Sequence, residues 1–263
     1  MKKNLLSLIV CAYKDSPYLE ECVESLVNQT VRCQVTISTS TPSKYIENIA
    51  KKYKVKLIVN DWKKGHANDF RFAFNYAKTK YVTLCHQDDV YNEKFAELTI
   101  KKMEKSKCPI VAFTNYYELR NGKIIKNNKL LIVKRLMNFG LLFFKKSKKF
   151  RLFTLSIGNA ICAPTVTYNK DIVKNPVVET DFKSNVDWIS YIEFAKLNGE
   201  FIYIKNPLLY RRIHEESLTT SVIANNIKKE EDYKIFRMFW NEKFAKFLLK
   251  IYSKSEKSNT IND

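Results

Sequence analysis

Asp88 and Asp89 stand side by side in the run LCHQDDVY, residues 84–91, directly after an apolar stretch and where a chain commonly turns. Two jobs suit such a pair. Short polar side chains accept hydrogen bonds from the free N–H groups of a first helical turn. Carboxylate oxygens are also hard ligands for a divalent cation such as Mg2+ or Mn2+. A second cluster lies in LLYRRIHEES, where Arg211, Arg212 and His214 fall within four residues. Guanidinium groups pair bidentately with phosphate, and a neutral imidazole can ligate a metal. A lone surface histidine usually does neither, so the elements that position these groups decide.

Over the first 120 residues strand and helix patterns alternate. LLSLIVCAY reads as a buried strand. Ser16-Pro17 opens a helix with Leu19, Cys22, Val23, Leu26 and Val27 on one face, with proline at the first helical position. QVTISTS, KLIVN, YVTLC and PIVAFTNYYEL read as further strands. SKYIENIAKKY, about residues 66–78 with Phe70, Phe74 and Ala77, and the segment bearing Phe95, Leu98 and Met103 read as helices, and Asn121-Gly122 as a turn. Alternation at this spacing predicts an α/β fold with a doubly wound, mostly parallel sheet. Ligands in such sheets sit beyond the carboxyl ends of the strands. Asp88 and Asp89 follow the fourth strand and the turn at residues 13–15 follows the first, so both belong to that edge. The position favours a ligand role over a cap. Neither G-x-G-x-x-G nor G-x-x-x-x-G-K-[ST] occurs, which argues against a Rossmann dinucleotide site and a P-loop. A nucleotide bound here needs a metal to neutralise its phosphates.

From 123 to 151 the character changes. Ten of 29 residues are basic and none acidic, and Val133, Leu136, Met137, Leu141 and Phe144 recur at helical spacing. This predicts a basic amphipathic helical insertion, facing either the core or an anionic membrane surface. ICAPTVTYN is strand-like, a helix is expected near residues 186–197, EFIYIKN is a strand, and one helix should run from about 226 to 252. The polar tail SKSEKSNTIND should be disordered. The pattern divides into an alternating strand–helix half (1–122), a second half (123–220, with the basic insertion at 123–157) and a C-terminal helix and tail (221–263).

With 263 residues, 45% of them hydrophobic, the chain can bury a full core. Its six cysteines are scattered without a C-x-x-C pair, so reduced thiols and a cytoplasmic location are expected. The opening MKKNLLSLIVCAY reads as a first strand, not a signal peptide, for want of a small-residue cleavage pattern. No apolar run reaches the roughly 18 to 20 residues that span a bilayer. The net charge of +19 admits anionic lipid or phosphorylated substrates. Nucleic acid is not expected, because no helix-turn-helix, zinc or ribonucleoprotein signature is present.

Four stretches in order resemble the family 2 glycosyltransferases, of the type-A glycosyltransferase fold, over roughly residues 5–220. SLIVCAYKDSPYLEECVESLVNQT resembles the family's opening strand and helix, and KTKYVTLCHQDDVY the strand leading to the metal-binding Asp-x-Asp motif. GNAICAPTVTYNK is similar to the acceptor-side stretch, and VDWISYIEFAKLNGEFIYIKNPLLYRRIHEES to the family's closing segment. The resemblance implies an inverting hexosyltransferase with Mn2+ or Mg2+ as cofactor. A nucleotide-diphosphate sugar, with uridine as its base, is the implied donor. The implied acceptor is a glycan or lipid-linked molecule of bacterial surface polysaccharide synthesis, met at the inner face of the membrane. Residue by residue, it assigns Ala12, Tyr13, Thr39, Asp69, Gln87, Asp88, Arg211 and Arg212 to the donor, and Asp88, Asp89 and His214 to the metal. Asp187 becomes the general base, with Trp188 and Asn159 on the acceptor side. Two positions depart from the family pattern: His86 stands where the first Asp is usual, and STSTP (38–42) lacks the acidic base reader, leaving Thr39 and Ser40. Rival readings are a sugar-nucleotidyltransferase, which normally carries a Gly-rich loop that CAYKDSPYL lacks, and an inactive glycosyltransferase-like protein. Homo-oligomerisation stays open.

Overall fold

Hydrophobic runs at the start of the chain become parallel strands covered on both faces. The computed structural model describes residues 4–62, 65–214 and 227–256. β1 (Leu6–Ala12) is almost wholly buried, as a strand with helices on both sides must be. α1 (Leu19–Val27) turns Leu19, Cys22, Val23 and Leu26 inward, while Val27, expected inside, is exposed. β2 (Gln34–Thr39), α2 (Lys44–Lys52), β3 (Lys56–Val59), α3 (His66–Tyr76) and β4 (Tyr81–His86) complete the first half. Ser43 caps α2 by accepting from the Ile46 N–H at 3.2 Å. Strands run parallel in the order β3-β2-β1-β4, with Ala12 opposite Thr39, Thr39 opposite Val59 and Cys11 opposite His86. Their carboxyl ends therefore share one edge.

The second half comprises β5 (Val90–Tyr91), α4 (Phe95–Glu104), β6 (Pro109–Arg120), β7 (Lys123–Ile125), α5 (Lys129–Phe139), α6 (Leu141–Phe144) and α7 (Lys148–Ser156). A 3-10 turn (Ala163–Thr165), β8 (Thr167–Asn169), α8 (Val186–Ala195) and β9 (Glu200–Ile213) follow, then α9 (Ile227–Phe239) and α10 (Glu242–Glu256). The sheet continues β4-β8-β6-β9-β5, with β7 on β6. β8 is antiparallel to both its neighbours, and β6 and β9 are parallel. The result is a mixed α/β fold with a curled, mostly parallel sheet. Asn121 and Gly122 adopt positive φ in the β6–β7 turn, as Asn-Gly allows.

Several local expectations give way to tertiary packing. The two-residue β5 has no periodicity to announce it and exists because it pairs with Leu209 and Tyr210 of β9. ICAPTVTYN is a 3-10 turn at Pro164 followed by a three-residue strand. The basic insertion holds three helices, and at Gly140, between the first two, the Phe150 ring occupies the space a side chain would need. Of the apolar stripe expected to face either the core or a membrane surface, Leu141 is buried, whereas Val133, Leu136 and Phe144 are exposed. The C-terminal helix breaks after Phe239, and Asn241 caps the second piece through the Phe244 N–H at 2.9 Å. The strand EFIYIKN continues through residues 207–213, so LLYRRI is sheet; residues 215–220 and the polar tail from 257 lie outside the described residues. The six cysteines are free thiols.

Both ends of α8 are held by buried charge. At its start, the Glu231 carboxylate of α9 accepts from the N–H groups of Lys183, Ser184 and Asn185 at 2.6–2.9 Å. At its end, the buried Arg151 guanidinium donates to the carbonyls of Ala195, Leu197, Gly199 and Lys145. Anion at the amino end and cation at the carboxyl end match the helix dipole and satisfy the free terminal groups. Gly199 lies at φ +135°, with the Cys108 carbonyl 2.6 Å from where a Cβ would sit. Arg151, which the charge pattern assigned to a basic surface, is a core residue. Arg151→Ala should cost about 3–5 kcal/mol in denaturant unfolding, since it leaves buried carbonyls without a donor.

Candidate active site

The carboxyl edge of β1, β2 and β4 brings the two sequence clusters together. His86 ends β4, and the next residues turn tightly, with the Asp89 N–H directed to the His86 carbonyl. Gln87 locks this turn to the end of β1: its Oε1 accepts from the Tyr13 N–H at 2.9 Å and its Nε2 donates to the Tyr13 carbonyl at 3.0 Å. Lys14 takes a positive φ of 56°, and its N–H reaches Thr41 Oγ1. Tyr13 is left exposed at the rim, beside the aligned ends at Ala12 and Thr39.

Asp88 is half-buried at this edge. One oxygen accepts from Ser16 Oγ at 3.1 Å, and the other lies 3.2 Å from His214 Nε2. The His214 ring rests on Tyr18, whose other neighbour is the Arg212 guanidinium, 4.3 Å from the ring centre. Asp89 does not join that pair. It is buried, and its Oδ1 accepts from the Arg212 N–H at 2.9 Å, tying the turn to the end of β9. Burial pushes its carboxyl up to about 7, against the pull of the Arg212 N–H and Arg211. Arg212 itself donates to the Asp88 carbonyl and to Glu21. Among the described residues no three His, Cys, Asp or Glu side chains converge on one point. Of the three residues that the resemblance assigns to a metal, Asp88 and His214 come together, 3.2 Å apart, and could share a divalent cation whose shell phosphate oxygens and water would complete.

On the base side, Asp69 is already engaged, accepting from Ser40 Oγ at 3.1 Å and from Asn60 Nδ2 at 2.6 Å. Thr39 is buried and its hydroxyl receives the Thr41 N–H. Asn60, Glu21 and Ser16 escaped the sequence reading. Their only signals were an asparagine at the end of KLIVN and polar residues beside the first helix.

Next to this edge lies a cavity whose walls include His66, Phe70, His86, Tyr168, Asp187 and Tyr191. Asp187, in the first turn of α8, accepts from Asn159 Nδ2 at 3.2 Å. Burial raises its carboxyl above the usual range, more than the Trp188 N–H and the positive charge of Lys228 lower it. Burial also pushes the His86 imidazole down to about 3, helped by repulsion from His66 and Arg211, so it is neutral at physiological pH. Trp188 requires a correction. Expected as an acceptor wall, it is fully buried between Phe236 and Tyr252, with its indole N–H on the Leu155 carbonyl. One helical step carries it from the cavity side into the core.

A half-sheet of parallel strands β3-β2-β1-β4 continued by an antiparallel β8 is the arrangement of the type-A glycosyltransferase fold. Staphylococcus aureus TarS residues 1–349 superpose with a TM-score of 0.60 at 16% identity, over 96% of this chain and 72% of that one. A mannosyltransferase from Pyrobaculum calidifontis, solved with GDP-Man and Mn2+, gives 0.66 at 10% identity, over 98% and 72%. The chain belongs to glycosyl transferase family 2, whose model matches residues 7–173. An uncharacterised glycosyltransferase of Methanocaldococcus jannaschii is 30% identical over 138 residues, 49% of this chain and 48% of that protein. Chondroitin synthase of Escherichia coli is 24% identical over 97% of this chain and 35% of its own length. The chain spans less than half the length of these two relatives.

Proposed function

We propose that the chain is a metal-dependent, inverting transferase. It moves a sugar from a UDP-sugar to a glycan or lipid-linked acceptor, in the cytoplasm, during bacterial surface polysaccharide synthesis. One observation carries this reading: a single cavity is walled by His86, two residues before Asp88, and by Asp187 on the acceptor side. On this reading donor and base meet across it.

The uracil ring fits the rim at Tyr13, with Ala12 and Thr39 beneath it. Asp69, held by Ser40 and Asn60, stiffens that wall. Neutral His86 can hydrogen-bond a ribose hydroxyl. Asp88 and His214 would hold Mn2+ or Mg2+, which when bound neutralises the charge building on the departing diphosphate. Arg211, at the end of β9, supplies positive charge nearby, while Arg212 positions the Asp88–Asp89 turn. Asp187 takes the proton of the attacking acceptor hydroxyl, and Asn159 orients its carboxylate. Attack from the side opposite the leaving diphosphate inverts the anomeric centre.

Uridine is supported by two similarities. A TarS structure holding UDP-GlcNAc superposes at a TM-score of 0.59. A glucosyltransferase of Escherichia coli named for UDP-Glc and a diphosphoundecaprenol acceptor is 25% identical over 54% of this chain. In calorimetry with Mn2+, UDP should bind at least tenfold more tightly than GDP or TDP, and binding should fade when the metal is chelated. Tighter binding of GDP or TDP would reassign the donor.

A further inference from the structure

Two parts of the second half, α10 and the α5–α6 pair, carry apolar side chains on their outer as well as their inner faces. In α10, Ala245, Leu248, Leu249 and Tyr252 pack on the core, while Phe244, Phe247 and Ile251 form an exposed stripe at helical spacing. In α5 and α6, Ile132, Val133, Leu136, Phe139, Phe143 and Phe144 are exposed, Leu136 by 73% and Phe143 by 69%. The two parts meet: a Cβ on Gly158 would lie 3.0 Å from the Tyr252 ring and 3.3 Å from Met137 Cε. The outer stripes thus belong to neighbouring elements. Lys129, Lys148 and Lys149 are exposed around the first, and Lys243 and Lys250 beside the second. Between Glu118 and Asp171 the chain has no acidic residue.

We propose that this face, α5–α6 with α10, docks on the surface of an anionic lipid bilayer. Clustered Leu and Phe need a nonpolar medium, which a nucleic acid does not offer, and the lysines around them need anions. A second copy of the chain would set the same uncompensated lysines against each other, whereas lipid headgroups complement them. No helix of the described residues is long and apolar enough to cross a membrane, so the helices lie along the interface. The inference does not depend on the transfer chemistry, since none of these residues lines the cavity at Asp187.

The test is co-sedimentation with vesicles of phosphatidylglycerol in phosphatidylcholine, against phosphatidylcholine alone. The protein should bind the anionic vesicles and be released by salt. Leu136→Ser with Phe143→Ser should weaken binding about tenfold for each side chain, and Lys148→Gln with Lys149→Gln about fivefold for each charge. UDP binding in the presence of Mn2+ should be the same in all four proteins, counting the wild type and an Ile251→Ser control that weakens vesicle binding alone. Failure to bind anionic vesicles, or equal binding to neutral ones, would overturn the proposal. So would a self-associated species in sedimentation velocity that Leu136→Ser with Phe143→Ser abolishes.

Discussion

Asp187→Asn should lower turnover by roughly 10² to 10⁴ while leaving UDP affinity and the fold near normal. A sugar hydroxyl is a poor nucleophile at neutral pH, so a carboxylate within reach must take its proton as the new bond forms. Asparagine keeps the shape and an oxygen that can still accept from Asn159, but it cannot take the proton. The pH profile separates this role from a structural one. Burial raises the Asp187 carboxyl above the ordinary range, so kcat/KM should rise with pH through that raised value, a limb the asparagine variant lacks. The linkage sign is equally definite. The folded protein holds the Asp187 proton more tightly than the unfolded chain, so this group's contribution to stability declines as pH rises from the ordinary carboxylate value to the raised one. Asp187→Asn should not show that decline. Retained turnover would sink the assignment and make Asp181 the next carboxylate to test.

Asp88→Ala should abolish Mn2+-dependent UDP binding, a loss of about a hundredfold or more, with little change in unfolding free energy. The large effect follows because Asp88 is one of the two groups proposed to hold the cation, 3.2 Å from His214. The small one follows because the bonds lost, to Ser16 and His214, are only partly buried and worth about 1 kcal/mol each. Asp89 supplies the contrast. Asp89→Asn retains an oxygen for the Arg212 N–H and should bind UDP and Mn2+ almost as the parent does. Should Asp89→Asn lose metal-dependent binding as fully as Asp88→Ala, both carboxylates would be ligands. Should Asp88→Ala bind unchanged, the pair would be a turn device. Isothermal titration with UDP, with and without Mn2+, decides among these outcomes.

Much of the donor half was legible because its signals are local. Alternating apolar strands and amphipathic helices require a parallel sheet, and a parallel sheet puts Asp88, Tyr13 and Thr39 on one edge whatever else the chain does. The order of four motifs reached further, to Asp187 and His214, which are about a hundred residues or more from Asp88. Sequence could not separate Asp88 from Asp89, because adjacent side chains in a turn point apart and only the end of β9 fixes which one the Arg212 N–H takes. Nor could it place Trp188, since a side chain one step from Asp187 faces the cavity or the core according to how α7, α9 and α10 surround α8. The same holds for charge: composition grouped Arg151 with the surface lysines, yet three backbone carbonyls at the end of α8 and that of Lys145 draw it inside. Periodicity identifies an apolar stripe at residues 132–144 but not what it faces. That direction belongs to tertiary packing, in which the Phe150 ring lies against Gly140 and Tyr252 of α10 and Met137 of α5 meet at Gly158.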